Sequence, residues 1–368
     1  MVAPLDWGLG HATRCVPVIE GLLARGAEVV LGSAGTSLEV LKAYYPDLPI
    51  LELPSYRIRY GKGNGQLRTL GRLGRQIPQV FRAIREEHEV LKGYVKKEGL
   101  DICISDHRLG MWHPEIPSYV IAHQVAIQAP PFLGALRGPL FHRHWKYLDR
   151  FDQIWVPDFP RPHDLSGDLV PAHLSQNPKV RHVGPLSRFA SLPLPAPEVL
   201  EAWQTDLAIV LSGPEPQRSL LEAKLLREAQ QLDQDVILVQ GVPGEKREAQ
   251  SGNVRLISFL GAEELGALLR QAKAVVSRSG YSSLLDYAAL GLQQVALVPT
   301  PGQTEQEYLG KRLHQKQIAY SQSQRKFSLS KALAALPQFQ GFRQSQHSIE
   351  PLNLVLDELF VRNHLINS

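Results

Sequence analysis

The stretch Met1-Val2-Ala3-Pro4-Leu5-Asp6-Trp7-Gly8-Leu9-Gly10-His11-Ala12-Thr13-Arg14, continued through Cys15 to Leu31, decides the fold class. Met1–Leu5 is apolar, a glycine-bearing loop follows, and Val16, Ile19, Leu22 and Leu23 then recur at helical spacing. Gly26 stops that helix, and Glu28–Leu31 reads as the next strand. Strand, glycine loop, helix, strand is the opening unit of a doubly wound parallel sheet. The first strand reads as clipped at its start, which predicts a native chain beginning somewhat earlier.

Working outward, further strands are expected at Ile50–Leu53, Ile102–Ser105, Ser118–Ile121, Gln153–Val156 and Val180–Val183. Gly184–Pro197 then carries four prolines in fourteen residues with no apolar period, the composition of a linker. Beyond it the pattern restarts. Strand Leu207–Leu211 leads through Ser212-Gly213-Pro214 to a helix over Pro216–Leu232, followed by strands Val236–Gln240 and Val254–Ser258. A helix near Glu263–Gln271, strand Ala274–Ser277, helix Ser282–Leu290 and strand Gln294–Val298 complete this half. The expected architecture is α/β: a Rossmann-like domain over 1–186, a linker over 187–200 and a second such domain over 201–345. The two domains should face a central cleft, and the amphipathic tail within 346–368 should pack as a helix across them.

Composition narrows the function. The chain has 368 residues, 43% hydrophobic and 21% charged, enough for two cores and incompatible with wholesale disorder. A formal charge of +4, from 40 Lys+Arg against 36 Asp+Glu, does not describe a nucleic-acid binder. Cys15 and Cys103, the only cysteines, form no disulfide framework and no zinc spacing, which points to a reducing cytoplasm. There is no apolar run of membrane-spanning length and no signal peptide. The charge is uneven, however. Residues 57–97 hold eleven Lys/Arg against three Glu, a local excess of +8.

Three motifs carry chemistry. In the first, Gly8 and Gly10 allow close backbone approach at a helix start, where negative charge is favoured. It is not a dinucleotide fingerprint, because Thr13 replaces the third glycine and Gly32-Ser33 stands where an acidic residue would end the second strand. His11 at that helix start suits a general base or a ligand contact, and equally a ring capping its own helix. The second motif is Ser277-Arg278-Ser279-Gly280-Tyr281-Ser282-Ser283-Leu284-Leu285-Asp286. Its strand–turn–helix offers amides to a phosphate or diphosphate, with Arg278 as a charge partner and Asp286 on the second helical turn as an acceptor for ribose hydroxyls. The third, Pro299-Thr300-Pro301-Gly302-Gln303-Thr304-Glu305-Gln306-Glu307-Tyr308, is a loop after a strand, with Gln306 and Glu307 suited to sugar hydroxyls.

In order and spacing, the second and third motifs resemble the nucleotide-sugar half of GT-B glycosyltransferases, specifically the MurG-like group, glycosyltransferase family 28. That group has an Arg-Ser-Gly turn, an acidic residue eight positions after the Arg, and a Val-Pro loop ending in Gln-Gln/Glu. Here these are Arg278-Ser279-Gly280, Asp286, and Val298-Pro299 followed by Gln306-Glu307. Gly8-Leu9-Gly10-His11 is similar to the family's opening Gly-Gly-His loop, and with Ala12-Thr13-Arg14 looks like an uncharacterised branch. The resemblance implies an inverting, metal-independent transferase taking a nucleoside-diphosphate sugar, with UDP as the default. It implies Asp286 on the ribose, Ser279 and Gly280 on the diphosphate, Gln306 and Glu307 on the sugar, and the Phe259-Leu260 backbone on the base. Gly10 would lie in the first glycine loop and His11 near the reacting centre. Two departures stand out. Asp286 replaces the usual Glu. The loop after the first strand of the C-terminal domain is not glycine-rich: in Ser212-Gly213-Pro214-Glu215-Pro216-Gln217-Arg218, Glu215 would repel a diphosphate that Gln217 or Arg218 would have to attract.

The sole Asp-x-Asp triplet, Asp233-Gln234-Asp235, precedes a strand and reads as a surface turn, so no metal is expected. Asp106, at the end of its strand, is a base, the orienter of His11, or a plain loop residue; His123 is a weaker acceptor-side candidate. A nucleotide-sugar 2-epimerase or hydrolase of the same fold, with Asp106, Glu305 and Glu307 as its carboxylates, is the enzymatic alternative, and a non-catalytic sugar-nucleotide sensor the other. The basic strip reads as a glycine-bearing loop (Gly61, Gly63, Gly65, Gly71, Gly74) and then a helix from Gln79 to about Lys97. Leu67, Leu70, Leu73, Ile77, Val80, Phe81 and Ile84 add an apolar face beside its arginines. Basic plus apolar fits an anionic membrane surface or an anionic, lipid-linked acceptor, and equally a solvated helix face.

Overall fold

The structure is a computed structural model that describes residues 1–7, 9–56, 66–126, 137–242, 244, 246–342 and 349–363; for 66–75, 137 and 175 it describes the backbone alone. The chain divides into two compact units, one holding the N-terminal elements through Ser191, apart from 66–69, together with the C-terminal helix, the other holding 66–69 and the elements from Leu192.

The first unit is a sheet of β1 (Val2–Pro4), β2 (Leu31–Ser33), β3 (Ile50–Glu52), β4 (Cys103–Asp106), β5 (Ser118–Ile121), β6 (Gln153–Val156) and β7 (Val180–His182). Its order is β3-β2-β1-β4-β5-β6-β7 and all its pairs are parallel. The helices are α1 (Leu9–Leu23), α2 (Gly35–Tyr44), α3 (Gln66–Glu98), α4 (Arg137–Leu148) and α5 (Arg188–Ser191). A short α6 (Pro197–Glu201) opens the second unit, so the proline-rich stretch is partly helical.

The second sheet comprises β8 (Thr205–Val210), β9 (Val236–Val239), β10 (Glu248–Ser251), β11 (Val254–Ile257), β12 (Ala272–Ser277), β13 (Val295–Leu297) and β14 (Tyr320–Ser321). Its order is β10-β11-β9-β8-β12-β13-β14, parallel except for the β10–β11 hairpin. Its helices are α7 (Gln217–Ala229), α8 (Ala262–Gln271), α9 (Tyr281–Leu290), α10 (Thr304–Gln315) and α11 (Leu329–Ala335). The final helix, α12 (Glu350–Arg362), returns to the first unit. It buries Leu352, Val355, Leu356, Leu359 and Phe360 in a core shared with Val2, Ala12, Cys15 and Ile19. Gly21 permits this approach, since a Cβ there would lie 2.5 Å from Leu356 Cδ1.

Each sheet therefore reverses its winding once, between β1 and β4 and between β8 and β12. These reversals open crevices at the carboxyl ends of parallel strands, where such sheets take ligands. A buried ion pair braces the first crevice. Arg108 Nη1 lies 3.0 Å from Glu87 Oε2 on α3, and Arg108 Nε donates to the Pro4 carbonyl at 2.9 Å. The Tyr56 hydroxyl and the Gly110 amide donate to Glu87 Oε1, each at 2.7 Å.

The structure corrects several sequence expectations. The second strand starts at Leu31, the residue opposite Val2, and not at Glu28. The third motif is not all loop, because α10 begins at Thr304 and puts Gln306 and Glu307 on its first turn. Gly10 likewise lies inside α1. The basic strip is helical from Gln66, so Gly71 and Gly74 are in a helix and not a loop, while Gly8, Gly61, Gly63 and Gly65 lie outside the described residues. Its apolar face is also partly taken: Ile84 is buried, and Val80 and Phe81 pack beside it in the unit's own core. Ile77 is exposed, and the side chains of Leu67, Leu70 and Leu73 are not described.

Candidate functional site

At the first winding reversal, β1 feeds α1 and β4 ends on Asp106, and a cluster of charged and imidazole side chains fills the crevice. Asp106 is fully buried and Arg14 is 2% exposed. Arg14 grips the carboxylate with both edges of its fork, Nε to Oδ2 at 2.6 Å and Nη2 to Oδ1 at 2.5 Å. His11 Nδ1 is 3.1 Å from Asp106 Oδ2 and 2.7 Å from Arg14 Nη2. His123, buried on the loop after β5, places Nδ1 3.1 Å from Arg14 Nη1. His107 Nδ1 sits 2.9 Å from the Ile121 carbonyl and 3.3 Å from Asp106 Oδ1. His107 reaches this position from a left-handed backbone with φ of 58°, a strained conformation for a non-glycine residue.

Electrostatics follow from burial and from Arg14. Burial, and then the Arg14 guanidinium, lower the His11 pKa to about 4 against the pull of Asp106. Burial lowers His107 to about 4 as well. Burial alone would raise the Asp106 pKa, but Arg14 and His11 outweigh it and hold the carboxyl well below its usual range. The site at neutral pH thus holds one carboxylate, one guanidinium and the neutral rings of His11 and His107. His11 keeps 13% side-chain exposure, and no described residue hydrogen-bonds its Nε2, so that nitrogen is the reactive atom the cluster offers. Asp106 has no exposed surface, and Arg14 and His11 engage both of its oxygens. Ligand atoms of His11, Asp106 and His107 approach within 4.8 Å of one another, a spacing a metal could use. The Arg14 guanidinium already binds both oxygens of that carboxylate, so this trio does not suit a second cation.

At the second reversal, β8 runs into Ser212-Gly213 and β12 into Arg278-Ser279-Gly280. Gly213 has φ of 101°, a region that favours glycine, and a Cβ there would meet Thr300 Oγ1 at 3.5 Å. Gly280 is the N-cap of α9 and supplies no side-chain cap, leaving the helix's first amides without a side-chain acceptor from that position. Gln306 ties the pieces together. Its Oε1 accepts the Thr300 amide at 2.9 Å, its carbonyl accepts the Ser279 hydroxyl at 2.8 Å, and its Nε2 lies 3.9 Å from a Cβ built on Gly280. Thr300 Oγ1 is buried with no hydrogen-bond partner. Asp286 is half-buried on the second turn of α9. Phe259 and Leu260 follow β11 at the same carboxyl edge, separated from β12 by β9 and β8.

Several expected contacts take other roles. Arg278 is no phosphate partner. It is 1% exposed, and its guanidinium donates to the carbonyls of Val298 at 3.1 Å and Gln217 at 2.7 Å and to Gln324 Oε1 at 2.8 Å, so it clasps three loops. Ser279 gives its hydroxyl to the Gln306 carbonyl. Arg218 is held by Glu215 and by Glu222, the latter at 2.6 Å, which cancels the charge expected to offset Glu215. Exposed Glu307 accepts the Gly302 amide at 3.0 Å. The triplet Asp233-Gln234-Asp235 is exposed at the amino end of β9, the opposite edge from the crevice. Two residues were not singled out from sequence. Arg14 is three positions after His11, hence on the same helix face, and that spacing was a usable signal. Thr300 had none beyond its place after Val298-Pro299.

The chain is similar to proteins of a recognisable enzyme class. Residues 216–351 match the glycosyltransferase family 28 C-terminal domain. A curated relative from Methanosarcina acetivorans, an uncharacterized glycosyltransferase, is 26% identical over 317 residues, covering 82% of this chain and 77% of that protein. Among solved structures, the spinosyn rhamnosyltransferase SpnG complexed with thymidine diphosphate superposes with a TM-score of 0.62 at 16% identity, covering 99% of each chain. MurG from Acinetobacter baumannii gives 0.55 at 15% identity, covering 97% of this chain and 98% of its own. The fold is GT-B. The protein is a glycosyltransferase of that fold, related to family 28.

Proposed function

We propose that the protein transfers a sugar from a nucleoside-diphosphate sugar to an acceptor hydroxyl, with inversion and without a metal. The observation that carries the donor reading is the start of α9: no cap from Gly280, an unpartnered Thr300 hydroxyl, and two glycines that keep side chains out of the space. A diphosphate leaving group matches such amides and dipoles. Asp286 takes the ribose hydroxyls, Gln306 and Glu307 the sugar, and the backbone at Phe259-Leu260 the base. UDP is the first nucleotide to test; the thymidine diphosphate in SpnG makes thymidine the second. His11 is the base for the acceptor hydroxyl and Asp106 orients it. The epimerase reading loses support because Arg14 occupies the carboxylate it would need.

Incubation with labelled UDP- and dTDP-sugars tests this. Release of nucleoside diphosphate with a glycosylated acceptor is expected. An isomerised or hydrolysed sugar, or binding without turnover, overturns transfer. Activity abolished by chelator and restored by a divalent cation overturns metal independence.

The acceptor is proposed to be anionic or lipid-linked, reached at the inner face of a membrane through residues 57–97. Arg82, Arg85, Lys92, Lys96 and Lys97 on α3 are exposed, while Glu87, one of the strip's three acids, is buried against Arg108. No helix among the described residues is long and apolar enough to cross a membrane. Salt-sensitive binding to anionic liposomes, lost on neutralising Arg68, Arg72 and Arg75, is the expected result; salt-insensitive or absent binding overturns it.

A further inference from the structure

The geometry around Arg14 determines where the proton of His11 sits. A guanidinium has only donors. Its Nη2 lies 2.7 Å from His11 Nδ1, which is a hydrogen bond only when that ring nitrogen keeps its lone pair. The competing partner, Asp106 Oδ2 at 3.1 Å, requires a proton on the same nitrogen. One nitrogen cannot satisfy both. The Arg14 contact is shorter, and Oδ2 already accepts Arg14 Nε at 2.6 Å. His123 obeys the same rule, since its Nδ1 faces Arg14 Nη1 at 3.1 Å. His107 is the opposite case: its Nδ1 faces the Ile121 carbonyl, an acceptor, and so carries the proton.

We propose that Arg14 is a positioning residue that holds the resting His11 ring in the tautomer protonated on Nε2, so that the base form exists only after Arg14 releases Nδ1 and Asp106 accepts a proton-bearing Nδ1 in its place. This deepens the proposed transfer and rests on His11 acting at the acceptor. In the resting form, Nε2–H meets the acceptor oxygen as a hydrogen-bond donor. To act as base, the ring loses that proton to solvent and gains one at Nδ1, with no change in net charge. The bare Nε2 lone pair then takes the acceptor's proton. The acceptor oxygen bonds to the anomeric carbon as the bond from that carbon to the diphosphate oxygen breaks, and the electron pair leaves with the diphosphate. Asp106 Oδ2 holds the Nδ1–H of the imidazolium so formed. A base kept one proton shift from readiness does not activate water on an empty site, which suits an enzyme whose donor is hydrolysable.

The proton position is readable by nitrogen-15 NMR of histidine-labelled full-length protein without substrate, the His11 signals being those lost in His11→Gln. The expected wild-type spectrum has the proton on Nε2 and a lone-pair shift at Nδ1. Arg14→Lys keeps a cation beside Asp106 but loses the fork; the His11 proton should then move to Nδ1, and the acid limb of the pH–kcat profile should shift while donor KM stays within about twofold. A proton on Nδ1 in the wild type overturns the proposal, as does an unchanged tautomer in folded Arg14→Lys. The spectrum needs no turnover, so its failure is separable from failure of the transfer reading, which His11→Gln turning over sugar nucleotide at the wild-type rate would show.

Discussion

The two winding reversals have the same topology and opposite contents. In the first unit, the crevice between β1 and β4 is filled with side chains: a buried carboxylate, the guanidinium that grips it and three imidazoles. In the second, the crevice between β8 and β12 is lined by glycines, helix amides and hydroxyls, and the buried cation Arg278 is turned into neighbouring loops. A parallel sheet gives each unit a place for a ligand but not the chemistry. Under the proposed function, the filled crevice fixes proton positions and the other admits an anion. The difference traces to single positions, Asp106 closing β4 where Ser277 closes β12, and His11 third in α1 where Ser219 is third in α7.

The largest expected effect separates the two by function. His11→Ala should lower turnover by about 10²–10⁴ with little change in donor affinity, as for removal of a general base. Steady-state kinetics beside calorimetric nucleotide binding checks this. A loss of nucleotide affinity with turnover intact would reverse the assignment of the two crevices.

Next comes stability. Asp106→Ala leaves the Arg14 charge buried without its carboxylate and should destabilise the fold by about 3–5 kcal/mol. Arg278→Met removes a buried cation that no carboxylate among the described residues compensates, leaving only neutral acceptors unpaired, and should be milder, about 1–3 kcal/mol. Urea denaturation measures both. Equal losses would mean that the neutral clasp matters as much as the ion pair.

Acid should act on one crevice first. The His11 and His107 pKa values lie near 4 in the folded protein against 6.5 for a free ring. Between these limits the unfolded chain binds more protons, so stability falls as pH drops from about 6.5 to 4, by roughly 2–3 kcal/mol per ring. Asp106, with its pKa lowered, contributes stability above the free-carboxyl range that is lost only in stronger acid. The second crevice has no group titrating in this range among Gly213, Ser279, Gly280, Thr300 and Gln306. Hydrogen exchange at pH 5 should therefore open β4 before β12, and His107→Gln should flatten the pH dependence of stability. The reverse order of opening would contradict the electrostatic contrast.

How much of this was legible beforehand follows the same divide. Strands buried on both faces, such as Ser118–Ile121 and Gln153–Val156, are apolar runs bounded by turn residues and were located to the residue. β10, with the exposed sequence Glu-Ala-Gln-Ser, has no apolar alternation and exists through its pairing with β11. The helical start of α3 was hidden by Gly71 and Gly74, which read locally as loop. In the sites, residue types and order were visible, but partners were not. Nothing in the local sequence around Arg278 says that its acceptors lie at Gln217, Val298 and Gln324, and nothing around Asp106 says that Arg14 is its partner rather than a free cation. Long-range hydrogen bonding assigns those roles, and one chain's letters do not encode it locally.

The finest test lies within the second crevice. Asp286→Ala should weaken nucleoside diphosphate binding by about 1–3 kcal/mol if its carboxylate accepts the ribose hydroxyls. Arg218, beside the β8 loop, is the natural contrast, because Glu215 and Glu222 already balance it. Arg218→Met should change nucleotide affinity by less than about 0.5 kcal/mol, the scale of an exposed ion pair. Isothermal titration with one nucleotide across both variants decides between two pictures of the crevice. If Asp286→Ala has no effect and Arg218→Met a large one, the anion is held by a side-chain cation, and the emptied crevice is not the nucleotide site. If Asp286→Ala alone weakens binding, the helix amides at Gly280 remain as the source of anion affinity, and the contrast between a crevice of side chains and a crevice of backbone holds.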